Sequence, residues 1–197
     1  MHNALDNDEL EMHYQPVFCC RTGRPVAEEI GFIGELGKFQ FDVVLSWFPK
    51  TRNQLRDDFR VALNLSPTQL QDPKFKEWLL EALATSKLPM NSIELEITET
   101  ALLEDTPETQ TNVRALANLG GCITLDDFGT GQSSLSVLKQ FPIGRLKIDQ
   151  SFVRGLPDRT DDIAIVNAVL SLAHSLDIPV DGEGVEEEEQ KQYLIDH

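Results

Sequence analysis

A chain of 197 residues, 41% hydrophobic and 25% charged, is long enough to bury one substantial core and reads as a single domain over 1–197. Its formal charge of -16 excludes an electrostatic grip on DNA or an anionic membrane, since no basic stripe can displace counterions, and an anionic ligand would need cations as intermediaries. No apolar run approaches the roughly 20 residues a bilayer needs, so no membrane insertion is expected, and the polar start MHNALDNDELEMH is no signal peptide.

Residues 1–10 read as a residual linker helix cut from a larger protein. Cys19 and Cys20 are adjacent and Cys122 is distant, which fits neither a disulfide framework nor zinc spacing and points to core thiols in a reducing, cytoplasmic compartment. Strands are predicted at RVALNLS (60–66), SIELEIT (92–98), GCITLDD (121–127), GRLKIDQ (144–150) and IPVDGEG (178–184). Between them PKFKEWLLEALATS carries Phe75, Trp78, Leu79, Ala82 and Leu83 at helical spacing. IAIVNAVLSLAHSL does the same with Ile165, Val166, Val169, Leu172, Ala173 and Leu176. Ser66, Asp72 and Thr106 each precede a proline suited to the first helical position, so each marks a helix start. Strands alternating with helices imply a parallel sheet, either a barrel or an open doubly wound sheet.

Side-chain parity favours the barrel. In IELEI, Ile93, Leu95 and Ile97 oppose Glu94 and Glu96; in RLKID, Leu146 and Ile148 oppose Arg145, Lys147 and Asp149. The apolar faces suit a layer of helices, whereas the charged faces would be costly under a second helical layer and fit a barrel lumen better. Asn64, Glu96, Asp126, Asp127, Lys147 and Glu183 fall near the C-terminal ends of successive strands, where a (β/α)8 barrel gathers its active site. Carboxylates with an amide are what Mg²⁺ or Mn²⁺ select, and the metal charge offsets their mutual repulsion. Asp126 and Asp127, although adjacent, could both reach the lumen if the backbone bends there. Two ions about 3.5 to 4 Å apart would then clamp a phosphodiester and activate water.

YQPV (14–17), NLSP (64–67), ELEITET (94–100), DDFGTGQSSL (126–135), LKIDQSFV (146–153) and EGVE (183–186) together resemble the ordered motifs of the EAL domain, a bacterial family that binds and hydrolyses cyclic di-GMP. The resemblance runs from about Asp8 to the last residue. It implies a modified TIM-type barrel, with Asn64, Glu96, Asp126, Asp127 and Glu183 as ligands of two Mg²⁺ or Mn²⁺ ions. It further implies that Lys147, with Glu183, assists the attacking water, that Gln15 and Asp149 lie near the nucleotide, and that Glu99, Gly129 and Ser133 belong to a loop coupling metal binding to dimerisation. A homodimer and upstream sensory or GGDEF-type domains are the partners it implies.

Two departures from the family pattern stand out. The Glu-Ala-Leu motif and its following arginine are absent in recognisable form: TGRPVA (22–27) joins directly to AEEIGFIGELG (27–37), and an ungapped alternative would put Glu29 at the motif position. The C-terminal end, EEEEQKQYLIDH, is shorter than the full barrel pattern, which typically takes about 250 residues. Loss of a metal-binding carboxylate would weaken hydrolysis, so a metal-dependent phosphodiesterase stands beside a nonhydrolytic cyclic di-GMP receptor or protein-interaction module. An enolase-type enzyme is a weaker third reading.

Other residues carry plain structural readings. His2, His13, His174 and His197 show no metal spacing, and His174 is expected partly buried. Glu186 to Glu189 read as a helix start favoured by the dipole. Trp47 and Trp78 read as core, and Gln132 stands where the family usually has tyrosine.

Overall fold

The structure is a computed structural model that describes residues 33–51, 59–86, 88–103, 106–130 and 135–197. Residues 1–10, which include His2, lie outside the described residues, as do His13, Gln15, Cys19, Cys20, Glu29, Gln132 and Ser133.

All five expected strands form: β1 (Val61–Asn64), β2 (Ile93–Thr98), β3 (Cys122–Phe128), β4 (Arg145–Ile148) and β5 (Val180–Gly182). They pair in parallel, and their order in the sheet is their order in the chain. That order separates the two architectures left open by the alternation of strands and helices, and agrees with parity. A doubly wound sheet reverses at a switch point, whereas a barrel adds each strand beside the last.

Helices cover the face that alternation marks as apolar. Leu63, Ile93, Leu95, Ile97, Ile123, Leu125, Leu146 and Ile148 are all buried in one core. Against them pack α1 (Ile33–Thr51), α2 (Pro67–Gln71), α3 (Pro73–Thr85), α4 (Glu99–Leu103), α5 (Pro107–Asn118), α6 (Leu135–Gln140), α7 (Gln150–Val153), α8 (Thr160–Ser175) and α9 (Glu188–Asp196). Phe75, Leu79 and Leu83 of α3 are buried, while Trp47 and Trp78 are partly buried against the core. Phe41 of α1 meets the Trp78 ring edge-on at 6.1 Å, a geometry favoured by the ring quadrupole.

The helix starts follow the capping chemistry read from the sequence. Gln69 N–H donates to Ser66, Lys74 N–H to Asp72 and Thr109 N–H to Thr106, each cap standing before a proline that has no N–H to satisfy. At α9 the Glu187 N–H donates to Gln190 Oε1 at 3.0 Å, the returning half of a capping box, so the acidic run is a helix start as expected. Three expectations need correction. His174 and Leu176 are exposed, because the last turn of α8 and the residue that follows it face away from the core. Cys122 is only partly buried, since strand alternation turns it to the polar face of β3.

Gly37 lets α1 approach α2. A Cβ there would fall 1.8 Å from Gln69 Nε2, the amide that donates to the Ile33 carbonyl at 3.0 Å. The same amide group, through Oε1, accepts from Ser66 N–H at 2.9 Å. Gly37→Ala should therefore displace the capping glutamine and destabilise by about 1 to 3 kcal/mol, more than alanine's better helix propensity returns. A urea midpoint at or above the parent's would contradict this.

Candidate metal centre

The site is built where β2, β3, β4 and the residue after β5 end together. Strict alternation would send Asp126 and Asp127 to opposite faces. Instead the β3–β4 register slips between Leu125 and Phe128, and Asp127 adopts a left-handed backbone with φ 56°. Asp and Asn tolerate that conformation better than other side chains that carry a Cβ. The bend required by the sequence reading is thus present, and the Asp127 N–H donates to Asp126 Oδ1 at 3.1 Å.

One carboxylate oxygen from each of Asp126, Asp127 and Glu183 lies within 4.8 Å of the other two, all three groups being partly buried. Three oxygen donors at this spacing fit a hard divalent cation. Lys147, on the polar face of β4, points its ammonium into the same place. Its Nζ lies 3.0 Å from Glu96 Oε1 and 3.2 Å from Asp126 Oδ1, and it also pairs with Glu183 Oε1.

These neighbours set the protonation states. Burial by itself would lower the Lys147 pKa, but hydrogen bonds to Glu183 and Glu96 and the Asp126 charge outweigh it and raise it well above the ordinary lysine value. Burial raises Glu96, partly countered by its bond to Lys147. Burial also raises Asp127, with the Asp126 charge adding to it. Asp149 is under the same upward pressure from burial, yet bonds from the Ser151 side chain and backbone take it below the usual aspartate value.

The other candidates divide. Asn64 is exposed at the end of β1 and faces Glu96 across the β1–β2 register. Asp149 caps α7 through Ser151 N–H at 2.9 Å. Glu99 is buried as the first residue of α4. Gly129 follows β3 at φ +100°, and a Cβ there would stand 3.2 Å from the Phe152 ring, so both backbone and space require glycine. Gln15 and Ser133 lie outside the described residues.

A second tier of charges lies one step down the same strands. Glu94 Oε1 is 2.8 Å from Arg60 Nη1 and 3.2 Å from Arg145 Nε, and Arg145 Nη1 reaches Asp181 Oδ1 at 2.8 Å. Glu94, Arg145 and Asp181 precede Glu96, Lys147 and Glu183 by two residues each. Parity had put Glu94 and Arg145 on the polar face without giving them a role, and the two-residue offset from the upper residues is the signal that could have found them.

A family profile described as "EAL domain" matches residues 23–197. The chain belongs to the EAL domain family. This EAL domain is 36% identical over 220 aligned positions to an uncharacterised protein of Synechocystis, covering 100% of this chain and 32% of the relative. It is 30% identical over 218 positions to the bifunctional diguanylate cyclase/cyclic di-GMP phosphodiesterase MucR of Pseudomonas aeruginosa, covering 98% of this chain and 32% of MucR. The chain thus spans about a quarter to a third of the length of such curated relatives.

Among solved structures, the EAL domain of Mycobacterium smegmatis DcpA superposes with a TM-score of 0.78 at 37% identity, covering 94% of this chain and 85% of that one. A cyclic di-GMP complex of the MucR phosphodiesterase gives 0.78 at 34%, covering 87% and 74%. Klebsiella pneumoniae BlrP1 with manganese and cyclic di-GMP gives 0.70 at 28%, covering 88% and 45%. The 220 positions aligned with the Synechocystis protein exceed the 197 residues here by 23, so at least that many of its residues have no counterpart inside the aligned span. No described helix is long and apolar enough to cross a membrane.

Proposed function

We propose that this chain is a cyclic di-GMP phosphodiesterase domain that opens the cyclic dinucleotide to linear pGpG at the C-terminal ends of its strands. The observation that carries the reading is the convergence of Asp126, Asp127 and Glu183 within 4.8 Å beside the Lys147 ammonium. A dianionic ligand could not approach these carboxylates without cations between them. Asp126, Asp127 and Glu183, with Glu96 and Asn64, would hold Mg²⁺ or Mn²⁺ in a two-ion site. When bound, the ions supply charge compensation for the phosphodiester and acidify bound water.

The chain's own residues have separable roles. Lys147, held as an ammonium, cannot serve as a base; it donates hydrogen bonds that orient a water against Glu183, and Glu183 is the acceptor for that water's proton. Asp149 and Gln15 are assigned to nucleotide contact, and Glu99, Gly129 and Ser133 to the loop that couples the site to a homodimer interface. The domain is taken as 1–197, cytoplasmic and bacterial, with sensory or GGDEF-type domains upstream of it in the parent protein. MucR, whose printed name joins a diguanylate cyclase to a phosphodiesterase, supports the last point.

A second reading is favoured by one observation. The internal shortfall of at least 23 positions, together with TGRPVA running straight into AEEIGFIGELG, removes the place where the family's Glu-Ala-Leu carboxylate would stand. Four acidic ligands in place of five would weaken hydrolysis and leave a receptor. The two are separated by a cyclic di-GMP hydrolysis assay in Mn²⁺ run beside calorimetric binding in Ca²⁺. Release of pGpG is expected. Binding in Ca²⁺ with no pGpG in Mn²⁺ would establish the receptor, and neither signal would remove cyclic di-GMP from the account.

A further inference from the structure

We propose that Arg145 is a positioning residue that sets the height of β5, and through it the place of Glu183, from below the site. The metal half of this inference rests on the carboxylate cluster being a cation site, as proposed above; the positioning half stands on the lower tier alone.

β5 is three residues long and pairs with β4 only at Val180, Asp181 and Gly182. Within the sheet it has no described neighbour on its other side. Its buried anchorage is slight: Val180 and Gly182 are partly buried and Asp181 is exposed. Glu183 comes next, and its N–H donates to the Ile148 carbonyl at 3.0 Å. A strand this short can slip or fray at small cost, and Glu183 would leave the cluster with it.

Arg145 ties the strand down through one hydrogen bond and one charge contact on opposite sides of β4. Nη1 donates to Asp181 Oδ1 on β5 at 2.8 Å, while Nε stands 3.2 Å from Glu94 Oε1 on β2 as a charge contact without a hydrogen bond, so the side chain spans the sheet across β3 and β4. The upper tier repeats the pattern two residues on, with Lys147 joining Glu96 to Glu183. Both tiers therefore link β2 to β5 through β4. The Arg145–Asp181 pair is half-exposed and contributes little to global stability. The site is more demanding, since a misplacement of about 1 Å can cost about 10²-fold in rate.

The test is a double-mutant cycle with Arg145→Gln, Asp181→Asn and the pair, read by amide hydrogen exchange and Mn²⁺ calorimetry. Arg145→Gln should remain folded, because Arg60 still faces Glu94 Oε1 at 2.8 Å. Each single variant should speed exchange at residues 180–183, leave the β1–β2 amides protected, and weaken Mn²⁺ binding about 10-fold. The pair should do no more than Arg145→Gln alone, since both changes break one bond. Unchanged exchange at residues 180–183 would overturn the proposal. So would a uniform acceleration over all strands, which would make Arg145 a general stabiliser, or local acceleration with unchanged Mn²⁺ affinity. If the parent chain binds no Mn²⁺ yet the local exchange pattern appears, the positioning stands and the metal reading is what fails.

Discussion

Lys147→Met is expected to destabilise the metal-free protein by about 2 to 3 kcal/mol, at or just below the lower end of what breaking a buried ion pair costs, because Glu183 retains some access to solvent. The side chains of Lys147, Glu96 and Asp126 are 16%, 10% and 14% exposed, so three carboxylates lose their nearest cation in a poorly hydrated place. For a domain of this size the melting temperature should fall by roughly 4 to 12 °C in chelator. Part of the loss should return with Mn²⁺, since a divalent ion supplies the charge that the ammonium provided.

The pH dependence has a definite sign. Glu96 and Asp127 have raised folded pKa values, chiefly through burial, so the native state binds more protons than the unfolded chain near those values. Their penalty is present at neutral pH and is relieved as pH falls through the folded pKa. Removing Lys147 takes away a hydrogen bond that holds Glu96 down, so Glu96 rises further and the variant gains more from acidification than the parent. Lys147 itself, raised by Glu183 and Glu96 against burial, contributes stability that is complete below the ordinary lysine pKa and is lost only as pH rises through its raised value. Calorimetry in chelator from neutral pH downward should show the gap narrowing as the raised Glu96 carboxyl takes up its proton. A gap that widens on acidification, or none at all, would remove Lys147 as the resident counter-charge.

The opposed sets Ile93/Leu95/Ile97 and Glu94/Glu96 could be read because a strand repeats every two residues and its two faces meet different media. The proline-marked caps at Ser66, Asp72 and Thr106 were legible because capping is local chemistry. Asp126 and Asp127 were harder. Their neighbourhood in sequence predicts divergence, and only the register slip and the positive φ of Asp127 reverse it, a bend with no glycine to announce it. Lys147 was placed at the site as an aid to catalysis, yet its three ion pairs depend on distances across three other strand ends that no single segment encodes. The lower tier is illegible for the same reason: Arg60 just before β1, Glu94, Arg145 and Asp181 come from four separate segments, and their pairing is a property of register.

The bend at Asp127 leads to the largest expected effect on activity. Asp127→Asn should keep the fold, because asparagine is among the few residues at ease with a left-handed backbone, while removing one negative charge from a cluster that holds Asp126 and Glu183 within 4.8 Å. Burial and the Asp126 charge already oppose ionisation of Asp127, so the metal-free variant should melt at or slightly above the parent temperature. Mn²⁺ binding should weaken sharply, and pGpG release should drop more than about 10²-fold, since the lost carboxylate alters both charge and placement at the reacting phosphodiester. Asp127→Val should fail differently, losing the fold locally because a β-branched side chain resists that φ. Comparing the two separates ligand from bend: if the asparagine variant binds Mn²⁺ like the parent, Asp127 shapes the strand end without coordinating anything, and the cation site must be rebuilt on Asp126, Glu183 and Glu96 alone.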